Sequence, residues 1–213
     1  GTRSLPRYLV SIDAGDLDPR ASLLTFHEAA AIGVLDGGLA IGHVAATKGM
    51  QLAIEKAREV GTGTVAVKNS QHDGAASVYS LMAVAEGMIG YSTTSTAGAT
   101  VAAFGSRGPA VANNAFAWGV PSRSGAPFVL DMACAATSWG KVESFQLYGL
   151  PLPDGFALDA EGRPTNEARA AKVLLPSAGA RGFGLAFLSS VLAGPLVGGK
   201  LPLHKTGRPA EEH

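Results

Sequence analysis

The short, largely apolar runs at residues 22–26 and 31–35 read as a pair of strands. Asp36-Gly37-Gly38 follows the second run and supplies residues that tolerate positive φ, so a turn is expected there. Over residues 42–60 the pattern changes. Met50, Ile54 and Ala57 recur at helical spacing, residues 55–59 read as the solvent face, and Gly61 offers a left-handed stop. Residues 64–67 are a β-branched strand, residues 69–74 a polar, glycine-containing loop, and residues 75–86 a second helix with Val78, Leu81, Met82 and Ala85 on one face.

Further along, residues 88–94, 115–120 and 127–132 read as strands, the last two separated by the loop Pro121-Ser122-Arg123-Ser124-Gly125. Residues 151–165 hold Pro-Asp-Gly and Glu-Gly-Arg-Pro and are turns. Residues 182–192 are a helix expected to bury Leu185, Leu188 and Leu192. Strands alternate with helices and no repeat is visible, which points to a layered α/β domain.

Composition sharpens this picture. Charged residues make up 16% and hydrophobic residues 46% of the 213, a balance that excludes disorder as the main state. Twenty-eight residues are glycine, well above the usual share of roughly 7%, and they have no period of three, so collagen is excluded. Seventeen basic residues balance seventeen acidic ones, which argues against a nucleic-acid partner. Cys134 is the single cysteine, so no intrachain disulfide forms, as expected of a reducing cytoplasm. The most apolar stretch, residues 183–197, is broken by Gly184, Gly194 and Pro195 and is shorter than the ~20 residues a spanning helix needs, so no membrane partner is expected. The five histidines are scattered without HExxH or CxxC spacing, so no metal is expected.

Three patterns imitate known motifs. Gly61-Thr62-Gly63-Thr64-Val65-Ala66 has dinucleotide-loop spacing but precedes a strand instead of opening a helix. Residues 194–200 have P-loop spacing, but Leu201 stands where a metal-binding hydroxyl belongs. Ser138-Trp139-Gly140-Lys141 and Lys205-Thr206-Gly207 match two motifs of penicillin-recognising enzymes, yet the middle Ser-Asp-Asn element is missing and Gly140 weakens a helix there.

The informative stretch is Val67-Lys68-Asn69-Ser70-Gln71-His72-Asp73-Gly74-Ala75-Ala76-Ser77-Val78-Tyr79. His72 follows a strand and precedes a helix, which exposes an imidazole that titrates near neutrality and can exchange one proton per turnover. Gly74, Ala75 and Ala76 let a ligand approach the backbone, and the N–H groups at the helix start suit anionic groups such as a pyrophosphate. The same position also suits a loop histidine that caps a helix.

With its surroundings this stretch resembles the malate/L-lactate dehydrogenase family, which also includes ureidoglycolate, sulfolactate and diketogulonate dehydrogenases and cyclic imine reductases. The match runs in order through Gly1-Thr2-Arg3-Ser4-Leu5-Pro6-Arg7-Tyr8-Leu9, His72-Asp73-Gly74-Ala75-Ala76 with Tyr79, Gly87-Met88-Ile89-Gly90, Phe104-Gly105, and Asn114 with Pro121. It continues through Asp131-Met132-Ala133 with Gly140-Lys141, Leu152-Pro153 with Gly155-Phe156-Ala157, and residues 176–185 with Gly179, Gly182 and Gly184.

The resemblance implies a three-layer α/β fold with a mixed, largely antiparallel sheet of the sulfolactate dehydrogenase type instead of the Rossmann fold. It divides the chain into residues 1–20 of an N-terminal helical, substrate-side region, an NAD(P)-binding body over residues 21–200, and a cut C-terminal segment over residues 201–213. It implies an oxidoreductase moving a hydride between NAD or NADP and a small 2-hydroxy or 2-oxo acid such as malate or lactate, in a cytoplasmic homodimer. His72 takes the proton-acceptor role. Asp73, Gly74, Ala75, Ala76, Ser77, Thr96, Asp131, Met132, Ala133 and Arg181 line the cofactor, Arg181 standing where the family usually has Lys. Arg3, Ser4 and Asn113 are the expected substrate contacts. Ser4 replaces a common carboxylate-binding Arg, and Arg3 is the adjacent substitute. Gly1 aligns with the glycine of a Ser-His-Gly motif whose His is the family's other catalytic candidate, so the chain is expected to be the middle of a larger enzyme. Rival readings are a cyclic imine reductase on the same scaffold, an inactive or purely nucleotide-binding fragment, and a serine acyl enzyme using Ser138.

Overall fold

The computed structural model describes residues 4–96, 98–205 and 213, and three small sheets carry its architecture. Helix α1 (Leu5–Asp13) opens the chain, with Pro6 in its first turn where a missing N–H does no harm. Strands β1 (Leu24–Glu28) and β2 (Ile32–Asp36) pair antiparallel. Helix α2 (Gly42–Val60) crosses over to strand β3 (Thr64–Lys68), which lies parallel to β2. Helix α3 (Ser77–Ala85) leads to strand β4 (Gly90–Thr93), the short strands β5 (Val101–Ala102) and β6 (Pro109–Val111), and the hairpin of β7 (Ala115–Val120) and β8 (Phe128–Ala133). β4, β7 and β8 form an antiparallel sheet, with β7 and β8 in unbroken register from Ala115 opposite Ala133 to Val120 opposite Phe128.

Helix α4 (Trp139–Tyr148) precedes strands β9 (Ala157–Leu158), β10 (Pro164–Thr165) and β11 (Val173–Leu174). These join β5 and β6 in a five-stranded sheet of order β10-β9-β11-β5-β6, in which β11 and β5 are the parallel pair. Helix α5 (Ala180–Leu192) ends the body. The sheets are thus mixed and largely antiparallel, as expected, with no doubly wound parallel sheet among the described residues.

One core cluster gathers Val101, Val111, Phe116, Cys134, Val142, Leu152, Leu174 and Ala186, and a second gathers Leu35, Ala40, Ala45 and Val67 beneath α2. Burial pushes the Cys134 thiol up to about 12, leaving it protonated and inert. α2 occupies the expected residues and stops on Gly61 at φ 88°. Its solvent face is interrupted by Lys56, which is buried and donates to the Glu28 carboxylate and the Ala29 carbonyl, both at 2.8 Å.

The faces of α3 and α5 differ from expectation. Val78 and Leu81 on α3, and Leu185 and Leu188 on α5, are exposed. α3 packs instead through Tyr79, Ser80 and Ala83, and α5 through Gly182, Ala186, Ser189 and Ser190. For α3 the reason is close approach. A methyl on Gly119 would meet the Val84 side chain at 2.7 Å and the Ser80 carbonyl at 3.1 Å, so the sheet comes too near for large residues.

The imitation motifs are structural. Gly61 is the cap of α2, and a methyl on Gly63 would collide with the Ala53 carbonyl. Gly194 precedes a single 3₁₀ turn, Pro195–Val197. Ser138 is the N-cap of α4, its hydroxyl accepting from the Lys141 backbone at 3.2 Å, so α4 forms despite Gly140. The apolar segment Ala180–Val197 reaches the hydropathy of a membrane span, but α5 ends at Leu192 and packs its small-residue face on the body.

Candidate active site

His72 sits in the loop between β3 and α3, and the chain fixes this loop from several sides. Asn69 and Gly74 adopt positive φ, 56° and 84°, which turns the backbone out of the strand and back towards α3. The Gln71 side chain donates to the Asp16 carbonyl at 2.7 Å. Gly42, at the start of α2, lies directly under the loop. A methyl there would stand 2.6 Å from the His72 carbonyl carbon and 2.7 Å from the Asp73 nitrogen.

The imidazole of His72 is half-buried, and its Nδ1 lies 2.7 Å from the Tyr8 hydroxyl of α1. His43, from the first turn of α2, completes a triangle of rings. Its centroid is 6.1 Å from Tyr8 and 6.2 Å from His72, and the Tyr8 and His72 rings are 6.1 Å apart. A side chain at position 74 would meet His43 Nε2 at 2.6 Å, so that residue is glycine for space as well as for φ. Burial, then the nearby Arg7 guanidinium, hold the His72 pKa below its ordinary 6.5, against the opposing Asp73 carboxylate. The ring is therefore neutral at physiological pH and able to accept a proton.

The expected cofactor residues fall into two groups. Around α3, Gly74 and Ala75 are exposed, Ala76 is buried, and the Ser77 N–H donates to the exposed Asp131 carboxylate at 3.2 Å. Met132 and Ala133 continue β8 beside Asp131, half-buried. Asp73 turns inward: it is buried, with its carboxylate 3.4 Å from His213. Around α5, the Thr96 N–H donates to the buried Asn114 amide at 3.1 Å, and Asn114 in turn donates to Ala186 and Ser190 of that helix. Arg181 is exposed in the first turn of α5, where neither a side-chain cap nor an acidic residue is present.

The substrate-side residues are less concentrated. Arg3 lies outside the described residues. Ser4 is the N-cap of α1 without a side-chain bond. Asn113 spends both ends of its amide on the loop after β8, accepting from Ala135 at 2.7 Å and donating to the Thr137 carbonyl at 3.0 Å. Three site residues escape sequence reasoning: Tyr8, His43 and His213. Tyr8 belongs to the Leu5-Pro6-Arg7-Tyr8 stretch of the family resemblance, whereas no local pattern marks the two histidines. The open clefts beside α4, lined by Phe145, Gln146, Leu150 and Arg169, contain none of the residues singled out.

Mixed sheets with a hydrogen-bonded, neutral histidine at a strand-to-helix junction equip the molecule for acid–base chemistry on an α/β scaffold outside the Rossmann type. The sequence model of the malate/L-lactate dehydrogenase family matches residues 1–212, and the chain belongs to that family. The L-sulfolactate dehydrogenase of Methanothermobacter thermautotrophicus is 38% identical over 209 residues, 97% of this chain and 61% of that protein. The solved sulfolactate dehydrogenase of Methanocaldococcus jannaschii matches with a TM-score of 0.90 at 31% identity, covering 100% of this chain and 63% of that one. The delta1-piperideine-2-carboxylate reductase of Pseudomonas syringae pv. tomato matches with a TM-score of 0.90 at 27% identity, covering 100% and 68%. The chain spans about three fifths of the length of the curated relatives it matches.

Proposed function

We propose that this chain is the body of an oxidoreductase that interconverts a small 2-hydroxy acid and its 2-oxo acid with NAD or NADP. The observation that carries the reading is the neutral, tyrosine-held His72 in a chain of this family. The residues present fit a nicotinamide dinucleotide. Exposed Gly74 and Ala75 offer bare backbone beside His72. Arg181 stands at the positive end of α5, a place where a cation is unfavourable unless an anion such as a phosphate joins it. Thr96, Met132 and Ala133 complete the proposed contacts. When bound, the nicotinamide supplies the hydride acceptor or donor.

The protein supplies the proton chemistry. Tyr8 holds His72 through Nδ1 and so orients the ring; with the proton on Nδ1 donated to the Tyr8 oxygen, the Nε2 lone pair is left for the substrate hydroxyl. As the alcohol carbon loses hydride, the hydroxyl proton passes to Nε2; in the reverse direction the imidazolium returns it to the new alkoxide. Arg7 is the described cation electrically coupled to His72 and is assigned, with Arg3, to the substrate carboxylate. We place the reaction in the cytoplasm, in keeping with the lone buried thiol, and in a homodimer. Exposed Phe128, Val129 and Leu130 on β8 support an apolar contact between copies, which sedimentation of the complete gene product checks.

The test is His72→Asn in the complete gene product, assayed with 2-oxo acids and NADH or NADPH. The expected loss in kcat is about 10²- to 10⁴-fold. Reduction at the parent rate refutes the role of His72. The match to a piperideine-carboxylate reductase favours one second reading, a cyclic imine reductase. Turnover of a cyclic imine carboxylate in place of pyruvate would establish it.

A further inference from the structure

His213 has no part in the chemistry above, yet only 6% of its side chain is exposed. Its backbone exchanges both hydrogen bonds with Val67 of β3, at 2.8 and 2.9 Å, which is how a directly opposed antiparallel pair bonds. The ring is thereby laid along the loop that carries His72. Nε2 lies 2.8 Å from the Ser70 hydroxyl and 3.2 Å from the Gln71 carbonyl. Nδ1 lies 3.0 Å from the Thr94 hydroxyl and 3.4 Å from the Asp73 carboxylate.

One imidazole therefore touches residues 70, 71 and 73, on both sides of His72, and the exit of β4 two residues before Thr96. The Gln71 carbonyl can only accept, and a proton on Nε2 serves it while Nδ1 accepts from Thr94; the Asp73 carboxylate, 3.4 Å from Nδ1, favours a proton on that side instead. Burial holds His213 below its ordinary pKa, which keeps the ring neutral, although Asp73 opposes the shift. The charged and titratable groups coupled to this ring are Asp73, Lys205, His43 and His72.

We propose that His213 is a positioning residue that clamps the His72 loop to the Thr94–Thr96 segment and so fixes the proton-transfer imidazole against the cofactor site. The proposal rests on the role assigned to His72. Removal of the outer-shell partner that orients a metal ligand typically costs about 10- to 100-fold, and the same scale is expected of a group that orients a proton-transfer imidazole; a loss confined to the transition state lowers kcat and kcat/KM together.

The experiment compares His213→Ala and His213→Gln in the complete gene product. Gln places an amide N–H near the position of the lost Nε2–H and so can rebuild the bond to Gln71. The alanine variant is expected to lose about 10- to 100-fold in kcat with KM for the 2-oxo acid changed less than about threefold. Gln is expected to restore kcat to within about threefold of the parent. A second readout needs no turnover: NMR titration of isotope-labelled His72 in the cofactor-free protein. Its midpoint should rise towards the ordinary 6.5 in the alanine variant, as the direct effect of His213 is lost and the loosened loop lets water reach the ring; the Gln variant, which restores only the clamp, should bring it part of the way back. A folded alanine variant with parental kcat or parental His72 titration overturns the proposal. So does a folded Gln variant that restores neither, and this decides the matter if alanine does not fold. A parent without turnover speaks against the proposed function, while the His72 titration still decides the clamp.

Discussion

A single methyl group at Gly42 tests how tightly the site is built. Gly42 has no positive φ, so alanine fits its backbone, and helix propensity alone would favour the change by up to about 1 kcal/mol. The new carbon, however, would stand 2.6 Å from the His72 carbonyl carbon and 2.7 Å from the Asp73 nitrogen, and nearer still to the Gln71 carbonyl. Ordinary carbon–carbon contact lies at about 3.5–4.0 Å, so the loop must retreat by roughly 1 Å. Overpacking of this kind costs about 1–3 kcal/mol, and a 1 Å displacement of a reacting group costs about 10²-fold in rate. Gly42→Ala should therefore lower kcat by about 10²-fold and lower the urea midpoint together. Gly184→Ala is the stability control. It lies inside α5 with nothing within 4 Å of the added carbon, and it should stabilise by up to about 1 kcal/mol. Parental kcat and stability in Gly42→Ala would refute the reasoning that this glycine sets the position of His72.

Asn114→Ala removes the buried amide that joins the Thr96 N–H to Ala186 and Ser190. It should cost roughly 2–4 kcal/mol in a urea melt and raise KM for the nicotinamide cofactor. Activity should depend on direction: with the His72 pKa below 6.5, alcohol oxidation falls as pH drops through that value, while 2-oxo acid reduction falls as pH rises through it. Initial rates in both directions from pH 5 to 8 check the crossing. Stability follows the same sign. The unfolded chain binds the His72 and His213 protons more tightly than the folded one. Their contribution is therefore complete above about pH 6.5 and is lost as pH falls from there towards the folded values. Urea midpoints between pH 7.5 and 5 should slope downward, and less so in His213→Gln.

Local signals were readable where the chain itself supplies start and stop. α2 and β7 lie on the residues their patterns indicate, because Gly61 ends the helix and a loop of Pro, Ser and Gly ends the strand. α1 lies within the N-terminal region that the family resemblance makes helical, and Pro6 marks its first turn, but no hydrophobic period in the sequence sets its bounds. α4 was disfavoured on Gly140, but the Ser138 cap and Gly149 at φ 63° outweigh one glycine. Hydrophobic periodicity assigned the buried sides of α3 and α5 to their bulky residues. Packing chose the small ones, since sheet and helix meet at glycines, and the bulky residues remain outward. His72 was legible from its place between strand and helix. His43 and His213 were not, because their roles arise from tertiary contacts that no spacing announces.

The pairing of His213 with the His72 loop also has a consequence for how the molecule comes into being. Ser70 and His213 are 143 residues apart, and closing a loop of that length carries an entropic penalty on the order of 4 kcal/mol before any contact rewards it. That closure belongs late in folding, after α2, β3 and α3 have assembled through contacts close in sequence. During synthesis at about 5–20 residues per second, the His72 loop leaves the ribosome some 7–30 s before the residue that fastens it. For that interval the nascent chain gains α3, α4, α5 and the strands between them while the His72 loop is not yet fastened. On the proposed clamp, the loop that carries His72 is set only after β5, β11 and α5 have also been made.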